Sequence, residues 1–177
     1  VTALFPATPS PANIAPLAGR HVVVTAGPTY EDIDPVRFIG NRSSGRMGFA
    51  VAAAAAAAGA RVSLVAGPVR LDTPAGVERV DVRSAAEMRD AAVALARAAD
   101  VFIGVAAVAD YAPVRRAVQK VKKGAARQTL ELAATPDIVA EVAALDGGPL
   151  TVGFAAETEN LREHALEKLS RKRLDMI

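Results

Sequence analysis

The apolar residues of this chain fall into two repeating patterns, and each pattern predicts one kind of element. Short, nearly continuous runs of Val, Ile, Leu and Ala predict strands that are buried on both faces of a sheet. One run alternates apolar and polar residues, which predicts a partly exposed strand. The predicted strands are 21–25, 61–67, 100–107 and 150–156, the alternating strand 76–82, and a short strand at 128–133.

Segments with helical spacing and recognisable capping residues lie between these strands. Ser and Thr side chains accept hydrogen bonds from the first N–H groups of a helix, and Gly ends a helix in a left-handed turn. The predicted helices are 44–58 with Ser43 or Ser44 as N-cap and Gly59 as the stop, 84–99 with a Ser84–Glu87 capping box, 135–145 with Thr135 as N-cap, and 158–172.

This order of elements predicts an α/β fold. We expect a single Rossmann-like domain with a doubly wound, mostly parallel sheet and helices on both faces. Ligands of such sheets bind beyond the carboxyl ends of the strands. That rule selects four segments, namely 26–29, 106–111, the loop around Lys120, and 155–158.

Composition narrows the class of protein. Among 177 residues, 51% are hydrophobic but only 4% aromatic, so the core must consist of small aliphatic side chains. A net charge of +2 gives no support for a nucleic-acid partner. The absence of Cys excludes disulfides, a thiolate nucleophile and a Cys-ligated metal. No apolar run is long enough to span a membrane and no signal peptide is evident, so we expect a cytoplasmic protein without a membrane partner.

The two ends of the chain differ from its middle. Residues 1–19 are rich in Pro, Ala and Thr, and we expect them to be a Pro-rich linker from a preceding domain that is not in this chain. Residues 20–177 then form the domain. We expect it to be C-terminally truncated, because the final "RLDMI" resembles the start of a strand.

The stretch "GNRSSGRMG" (40–48) resembles a phosphate-binding loop but lacks the Lys and Ser/Thr of that motif. Ser43, Ser44, Gly45 and Arg46 stand at the predicted start of a helix, where N–H groups and the helix dipole favour an anion. A plain capped helix is the alternative. The long segment before it carries Arg37 and Asn41, and its length favours a functional loop.

Further candidates lie at the predicted ligand edge. Asp110 ends an apolar strand and suits a ribose hydroxyl or Mg²⁺, although it also suits a turn. A basic loop contains Lys120, Lys122 and Lys123, and Lys168 and Lys172 share one helix face. Either set can bind phosphates or simply be solvated surface. No G-x-G-x-x-G follows the first strand, so the standard dinucleotide-binding motif is missing. The strand ends and basic loops indicate an α/β enzyme for a phosphorylated ligand, and the residues alone leave its reaction open.

Six ordered segments together resemble one family. They are "TAGPTYEDIDPVRFIGNRSSGRMGFA", "AGPV", "GVAAVADY", "KVKK", "PDIV" and "GFAAET". They are similar to the phosphopantothenoylcysteine synthetase domain of the bacterial bifunctional coenzyme A biosynthesis flavoprotein. The resemblance implies a ligase that joins 4′-phosphopantothenate to L-cysteine through an acyl-cytidylate, with CTP as co-substrate and Mg²⁺. It also implies a homodimer fused to a decarboxylase domain, where FMN would reside; no flavin is expected in residues 20–177.

The resemblance also implies roles for individual residues. Asn41 would donate a hydrogen bond from its side-chain amide to the reacting carbonyl oxygen. Arg37 would bind a phosphate or carboxylate of the substrate, and Lys120 would neutralise the triphosphate. Ser43, Ser44, Gly45 and Arg46 would hold phosphate or substrate, and Asp110 is the implied metal ligand. The implied nucleotide site comprises Gly104, Val105, Ala106, Asp110, Lys120, Pro136, Asp137, Ile138, Val139, Phe154, Lys168 and Lys172. The alternatives are an NAD(P)-dependent Rossmann reductase and a non-catalytic nucleotide-binding domain.

Overall fold

The computed structural model describes residues 15–124, 128–156 and 159–177. Most of the predicted linker therefore lies outside the described residues, as do Glu157 and Thr158 of the predicted ligand edge. The elements in chain order are β1 (His21–Ala26), β2 (Tyr30–Asp32), β3 (Phe38–Gly40), α1 (Arg46–Ala57), β4 (Arg61–Ala66), β5 (Val77–Asp81), α2 (Ala85–Ala96), β6 (Val101–Gly104), β7 (Tyr111–Pro113), β8 (Leu132–Ala134), α3 (Ile138–Ala143), β9 (Leu150–Gly153) and α4 (Leu161–Arg171).

Five of these strands form one parallel sheet in the order β5–β4–β1–β6–β9. The order reverses at β1, which lies in the middle and whose residues are all buried. This is the doubly wound arrangement, so the predicted Rossmann-like α/β class is confirmed. The carboxyl ends of β1 and β6 lie side by side, which places the segments that follow them in contact.

Two cores cover the two faces of the sheet. Val22 and Val24 of β1 pack with Phe49 and Ala52 of α1 on one face. Val23 points to the other face, where Met88 of α2 and other side chains bury it. Five of the eight buried residues of α1 and α2 are alanines, which lets these helices approach the strands closely. The aliphatic, aromatic-poor composition is therefore a direct consequence of this close layering.

Several predicted helix starts are wrong by a few residues. Neither Ser43 nor Ser44 caps α1; its N-cap is Gly45, with no side-chain cap bond. Thr135 does not cap α3, because its Oγ1 donates instead to the carbonyl of Ala109. Asp137 is the cap and accepts from the N–H of Ala140 at 3.2 Å. At α2 the predicted cap is confirmed, since Ser84 Oγ accepts from the N–H of Glu87 at 3.2 Å.

Two short antiparallel hairpins lie outside the main sheet. The predicted loop after β1 contains β2–β3, in which the rings of Tyr30 and Phe38 stack with centroids 3.8 Å apart. Arg83 binds both carboxylate oxygens of Asp32 and so joins this hairpin to the start of α2. The predicted strand at 128–133 is displaced to β8, which pairs with β7 instead of the main sheet.

The remaining strand predictions are too long at their ends. β6 stops at Gly104 and β9 at Gly153, where irregular segments begin. Met176 forms a single parallel bridge with Val152, which agrees with the strand-like character of the last residues. Within the described ranges, no helix combines the length and the apolar character needed to cross a bilayer.

Gly45 and Gly48 of the 40–48 stretch each occupy a position that requires glycine. Gly45 has φ 76°, a left-handed conformation that L side chains rarely adopt, and it turns the chain into α1. Gly48 lies where α1 crosses the end of β1. A Cβ added there would lie 2.5 Å from the Cβ of Ala26 and 3.0 Å from its Cα. The glycines therefore serve the backbone turn and the helix–strand contact.

We predict that Gly48→Ala destabilises the protein. Gly to Ala inside an exposed helix normally stabilises by about 1 kcal/mol, but here the added methyl group must displace β1 or α1. The expected loss is about 1–3 kcal/mol in the free energy of unfolding, measured by urea denaturation. Ala54→Gly, at an exposed position of the same helix, calibrates the intrinsic helix preference. An unchanged or increased stability of Gly48→Ala would contradict the close packing.

Candidate nucleotide-binding site

A cleft of about 590 Å³ opens beyond the carboxyl ends of β6 and β9. Among the predicted nucleotide-binding residues, Gly104, Val105, Ala106, Asp110, Pro136, Asp137, Ile138, Val139, Phe154, Lys168 and Lys172 line it. Lys120 is the one predicted nucleotide residue that does not. The cleft also contains Asn41, which comes from the segment between β3 and α1. Residues from five separate parts of the chain therefore converge on one site.

Main-chain hydrogen bonds fix one wall of the cleft. The N–H of Ala106 donates to Thr25 Oγ1 at 3.3 Å and that of Ala107 to the carbonyl of Gly27 at 2.9 Å. The N–H of Ala109 donates to Thr29 Oγ1 at 3.0 Å, and Thr29 is fully buried. These N–H groups point into the protein. The N–H groups of Ala106, Ala107 and Ala109 are therefore already occupied and do not face a ligand.

Asn41 is bound to the same wall. Its Nδ2 donates to the carbonyl of Ala107 at 3.2 Å and to that of Val108 at 2.9 Å. Because both partners are carbonyl oxygens, the amide nitrogen must face them and Oδ1 is turned away. Donation to a reacting carbonyl, the role implied by the family resemblance, requires Nδ2 to exchange one of these bonds. In this state Asn41 secures the wall.

The opposite rim carries charged side chains. Lys172 Nζ lies 3.0 Å from both carboxylate oxygens of Asp137. Asp137 is also the N-cap of α3, so one carboxylate stabilises the helix start and holds the lysine over the cleft. Lys168 lies one turn earlier on α4 and also lines the cleft. The predicted pair of helical lysines therefore faces the same space as the wall residues.

The predicted anion turn lies beside the cleft. Ser43, Ser44, Gly45 and Arg46 do not line it, and Ser43 Oγ accepts from the N–H of Gly45 at 3.2 Å. The side chain of Met47, one residue further on, does reach the cleft. Six further residues line the cleft, namely Met47, Ala107, Val108, Thr135, Ala155 and Ala156. Four of them lie in the predicted ligand-edge segments 106–111 and 155–158, whereas Met47 and Thr135 were not predicted to line a site. Most are small residues next to predicted ones, which carry no chemical signal of their own.

Arg37 and Lys120 lie outside the cleft. Arg37 forms a salt bridge with Asp34 through Nε and Nη2, and Nη2 also donates to the carbonyl of Val121. The bond from Arg37, aided by the N–H groups of Val36, Val121 and Arg37, holds the pKa of Asp34 well below its ordinary value. Lys120 is exposed and precedes the anchored Val121. The structure thus connects these two predicted residues to each other through Asp34.

Asp110 is an exposed carboxylate on the cleft. In the part of the chain that the structure describes, no three His, Asp, Glu or Cys side chains form a group able to hold a metal ion. Mg²⁺ commonly binds through one or two carboxylates together with substrate phosphates and water. Asp110 fits that mode of binding and does not fit a cage made by protein alone.

Comparison with known proteins shows the family to which the chain belongs. The family model described as the DNA/pantothenate metabolism flavoprotein C-terminal domain matches residues 17–177. The chain belongs to this family. The crystal structure of the C-terminal domain of coenzyme A biosynthesis bifunctional protein CoaBC is 42% identical and superimposes with a TM-score of 0.80, covering 93% of this chain and 78% of that one.

Longer relatives share the sequence at higher identity. Coenzyme A biosynthesis bifunctional protein CoaBC of Vibrio cholerae is 56% identical over 164 residues, which are 91% of this chain and 41% of that protein. The Escherichia coli protein of the same description is 53% identical over 172 residues, covering 95% of this chain and 42% of that protein. The chain therefore spans about two fifths of the length of the curated relatives it matches.

We predict that Asp34 contributes a stability that disappears in acid. A carboxyl whose pKa is lowered by folding stabilises the protein above its ordinary pKa of 3.8, and the contribution is lost as the pH falls towards the folded-state pKa. Asp34→Asn should therefore be less stable than wild type from about pH 5 to 8, and the difference should narrow below about pH 4. Urea denaturation across this range measures it, and a difference independent of pH would contradict the assignment.

Proposed function

We propose that this chain is the CTP-dependent phosphopantothenate–cysteine ligase part of a coenzyme A biosynthesis protein. The observation that carries the proposal is the convergence of the predicted nucleotide residues and Asn41 on one cleft. The relatives that match the chain are described as coenzyme A biosynthesis bifunctional proteins, which supports the pathway. The ligase reaction and the choice of CTP come from the resemblance of the six ordered segments.

The first half-reaction activates a carboxylate. A carboxylate oxygen of 4′-phosphopantothenate attacks the α-phosphorus of CTP, the bond to the bridging oxygen breaks, and pyrophosphate leaves. The reactants together carry several negative charges, so cations near the cleft must offset them. Lys168 and Lys172 line the cleft. We assign them to the nucleotide, and Lys120 of the neighbouring basic loop to the triphosphate.

The second half-reaction forms the amide. The amine nitrogen of L-cysteine attacks the acyl carbon, the bond to the cytidylate oxygen breaks, and CMP leaves while the nitrogen loses a proton. Asn41 lies on the cleft wall. We assign it to the substrate carbonyl oxygen, which gains negative charge during this step. The Asn41 amide would stabilise that charge by exchanging one main-chain bond for the substrate. Holding the reactants in line accounts for much of the remaining acceleration.

Other parts of the proposal concern the surroundings of the site. Mg²⁺ would bind with the triphosphate, using Asp110, and would neutralise charge on the leaving pyrophosphate.

Homodimer formation is favoured by exposed apolar side chains on and beside the two hairpins, including Val36, Phe38 and Val118. The unmatched part of the relatives leaves room for a decarboxylase domain with FMN. A cytoplasmic location follows from this metabolic role.

We predict pyrophosphate release by the full-length protein when CTP, Mg²⁺, 4′-phosphopantothenate and L-cysteine are all present. Omission of 4′-phosphopantothenate should abolish it, because the carboxylate is the first nucleophile. In a parallel thermal melt, CTP should raise the melting temperature and NADPH should not. Failure to release pyrophosphate would contradict the ligase. If CTP still stabilised the protein, the result would support a non-catalytic nucleotide-binding domain, whereas stabilisation by NADPH would support a reductase.

Replacing Asn41 should separate the two half-reactions. Asn41→Asp cannot donate to the carbonyls of Ala107 and Val108 or to a reacting carbonyl oxygen. We expect CTP binding to persist, acyl-cytidylate to accumulate, and the second half-reaction to slow about a hundred- to a thousand-fold. Rapid quenching with labelled CTP and chromatography of the intermediate measure both steps. Turnover at the wild-type rate would remove Asn41 from the reaction.

A further inference from the structure

The carboxylate of Asp34 is the most heavily bonded side chain near the basic loop. Oδ1 accepts from the N–H of Val36 at 2.8 Å and from that of Arg37 at 2.9 Å. Oδ2 accepts from Arg37 Nε at 3.0 Å, from Arg37 Nη2, and from the N–H of Val121 at 3.1 Å. Asp34 itself is 1% exposed. A buried charge with this many donors holds its partners in one arrangement.

One of those partners belongs to the loop that carries Lys120. Val121 is held through both of its main-chain polar groups, because its N–H donates to Asp34 Oδ2 and its carbonyl accepts from Arg37 Nη2. Earlier in the loop, the N–H of Ala117 donates to the carbonyl of Ile33 at 2.9 Å. The turn 33–37 therefore fastens the chain on both sides of Lys120.

A segment with three lysines within four positions does not hold one conformation by its own contacts. Lys120, Lys122 and Lys123 repel one another, and each is exposed. Ordering such a segment costs conformational entropy at every residue. The hydrogen bonds to the turn 33–37 offset this entropic cost in the folded protein without a ligand. Lys120 thus begins from a fixed backbone position.

We propose that Asp34 is a positioning residue that acts through Lys120. Its bonds to the Val121 N–H and to Arg37 hold the backbone immediately after that lysine, so that the ammonium group meets the phosphates of the nucleotide during activation. The inference rests on the proposed function, since Lys120 is assigned there to the triphosphate. It also gives Arg37 a defined part, because Arg37 bonds to Asp34 and to the Val121 carbonyl at once.

A double-mutant cycle in the full-length protein tests this coupling. Lys120→Gln should slow acyl-cytidylate formation about a hundredfold. Asp34→Asn should slow the same step about tenfold, since a misplaced group loses much of its effect. If Asp34 acts through Lys120, the double variant should be no slower than Lys120→Gln within about twofold. Multiplied effects, or a wild-type rate in Asp34→Asn, would overturn the proposal.

Controls separate positioning from general stability. Asp100→Asn is a matched variant, because Asp100 also accepts from a main-chain N–H and an arginine but lies at the amino end of β1 and β6. It should leave the rate unchanged. Should Asp34→Asn fail to fold, Val121→Pro removes the N–H that donates to Asp34 Oδ2 and leaves the carboxylate in place. It must show the same lack of additivity with Lys120→Gln. If wild type forms no acyl-cytidylate, the proposed function fails; if it does and the effects multiply, only the positioning role fails.

Discussion

The main-chain hydrogen bonds between the segments that follow β1 and β6 determine where everything else in the cleft lies. Thr25 Oγ1, the Gly27 carbonyl and Thr29 Oγ1 accept hydrogen bonds of 2.9–3.3 Å from the N–H groups of Ala106, Ala107 and Ala109. The wall carbonyls then hold Asn41, and Thr135 bonds to the carbonyl of Ala109. Adjacent parallel strands bring these segments together because their carboxyl ends share one edge of the sheet. The site therefore depends on the order of the strands together with the hydroxyl groups of Thr25 and Thr29.

The fold could be predicted because burial imposes a period on the sequence. Continuous aliphatic runs specify strands covered on both faces, and β1, β4 and β6 are such strands. The alternating run at β5 marks the edge of the sheet. The positions of the nucleotide residues followed from the family resemblance, and their convergence in space agrees with strand ends that meet. Periodicity alone would have located the edge without naming the ligand.

The parts that could not be predicted depend on contacts between distant residues. The strands β2 and β3 contain three residues each, which is too few for a hydrophobic period to show. Asp32 of β2 binds Arg83, which lies 51 positions further along the chain. The start of α1 uses a left-handed glycine, so the adjacent serines mislead. Arg37 stands three residues after Asp34, a spacing that indicates a local ion pair. Its bond to the Val121 carbonyl, 84 positions away, gives no such signal in the sequence.

The ion pair between Asp137 and Lys172 has a consequence for turnover. Any anion that binds Lys172 must compete with a carboxylate already 3.0 Å away. When displaced, Asp137 keeps its bond to the first turn of α3, so the exchange is reversible and the helix start stays intact. An internal competitor of this kind limits how tightly a phosphate can be retained. For the proposed ligase, this ceiling on affinity favours release of the spent nucleotide, because the rate of product escape rises as retention weakens.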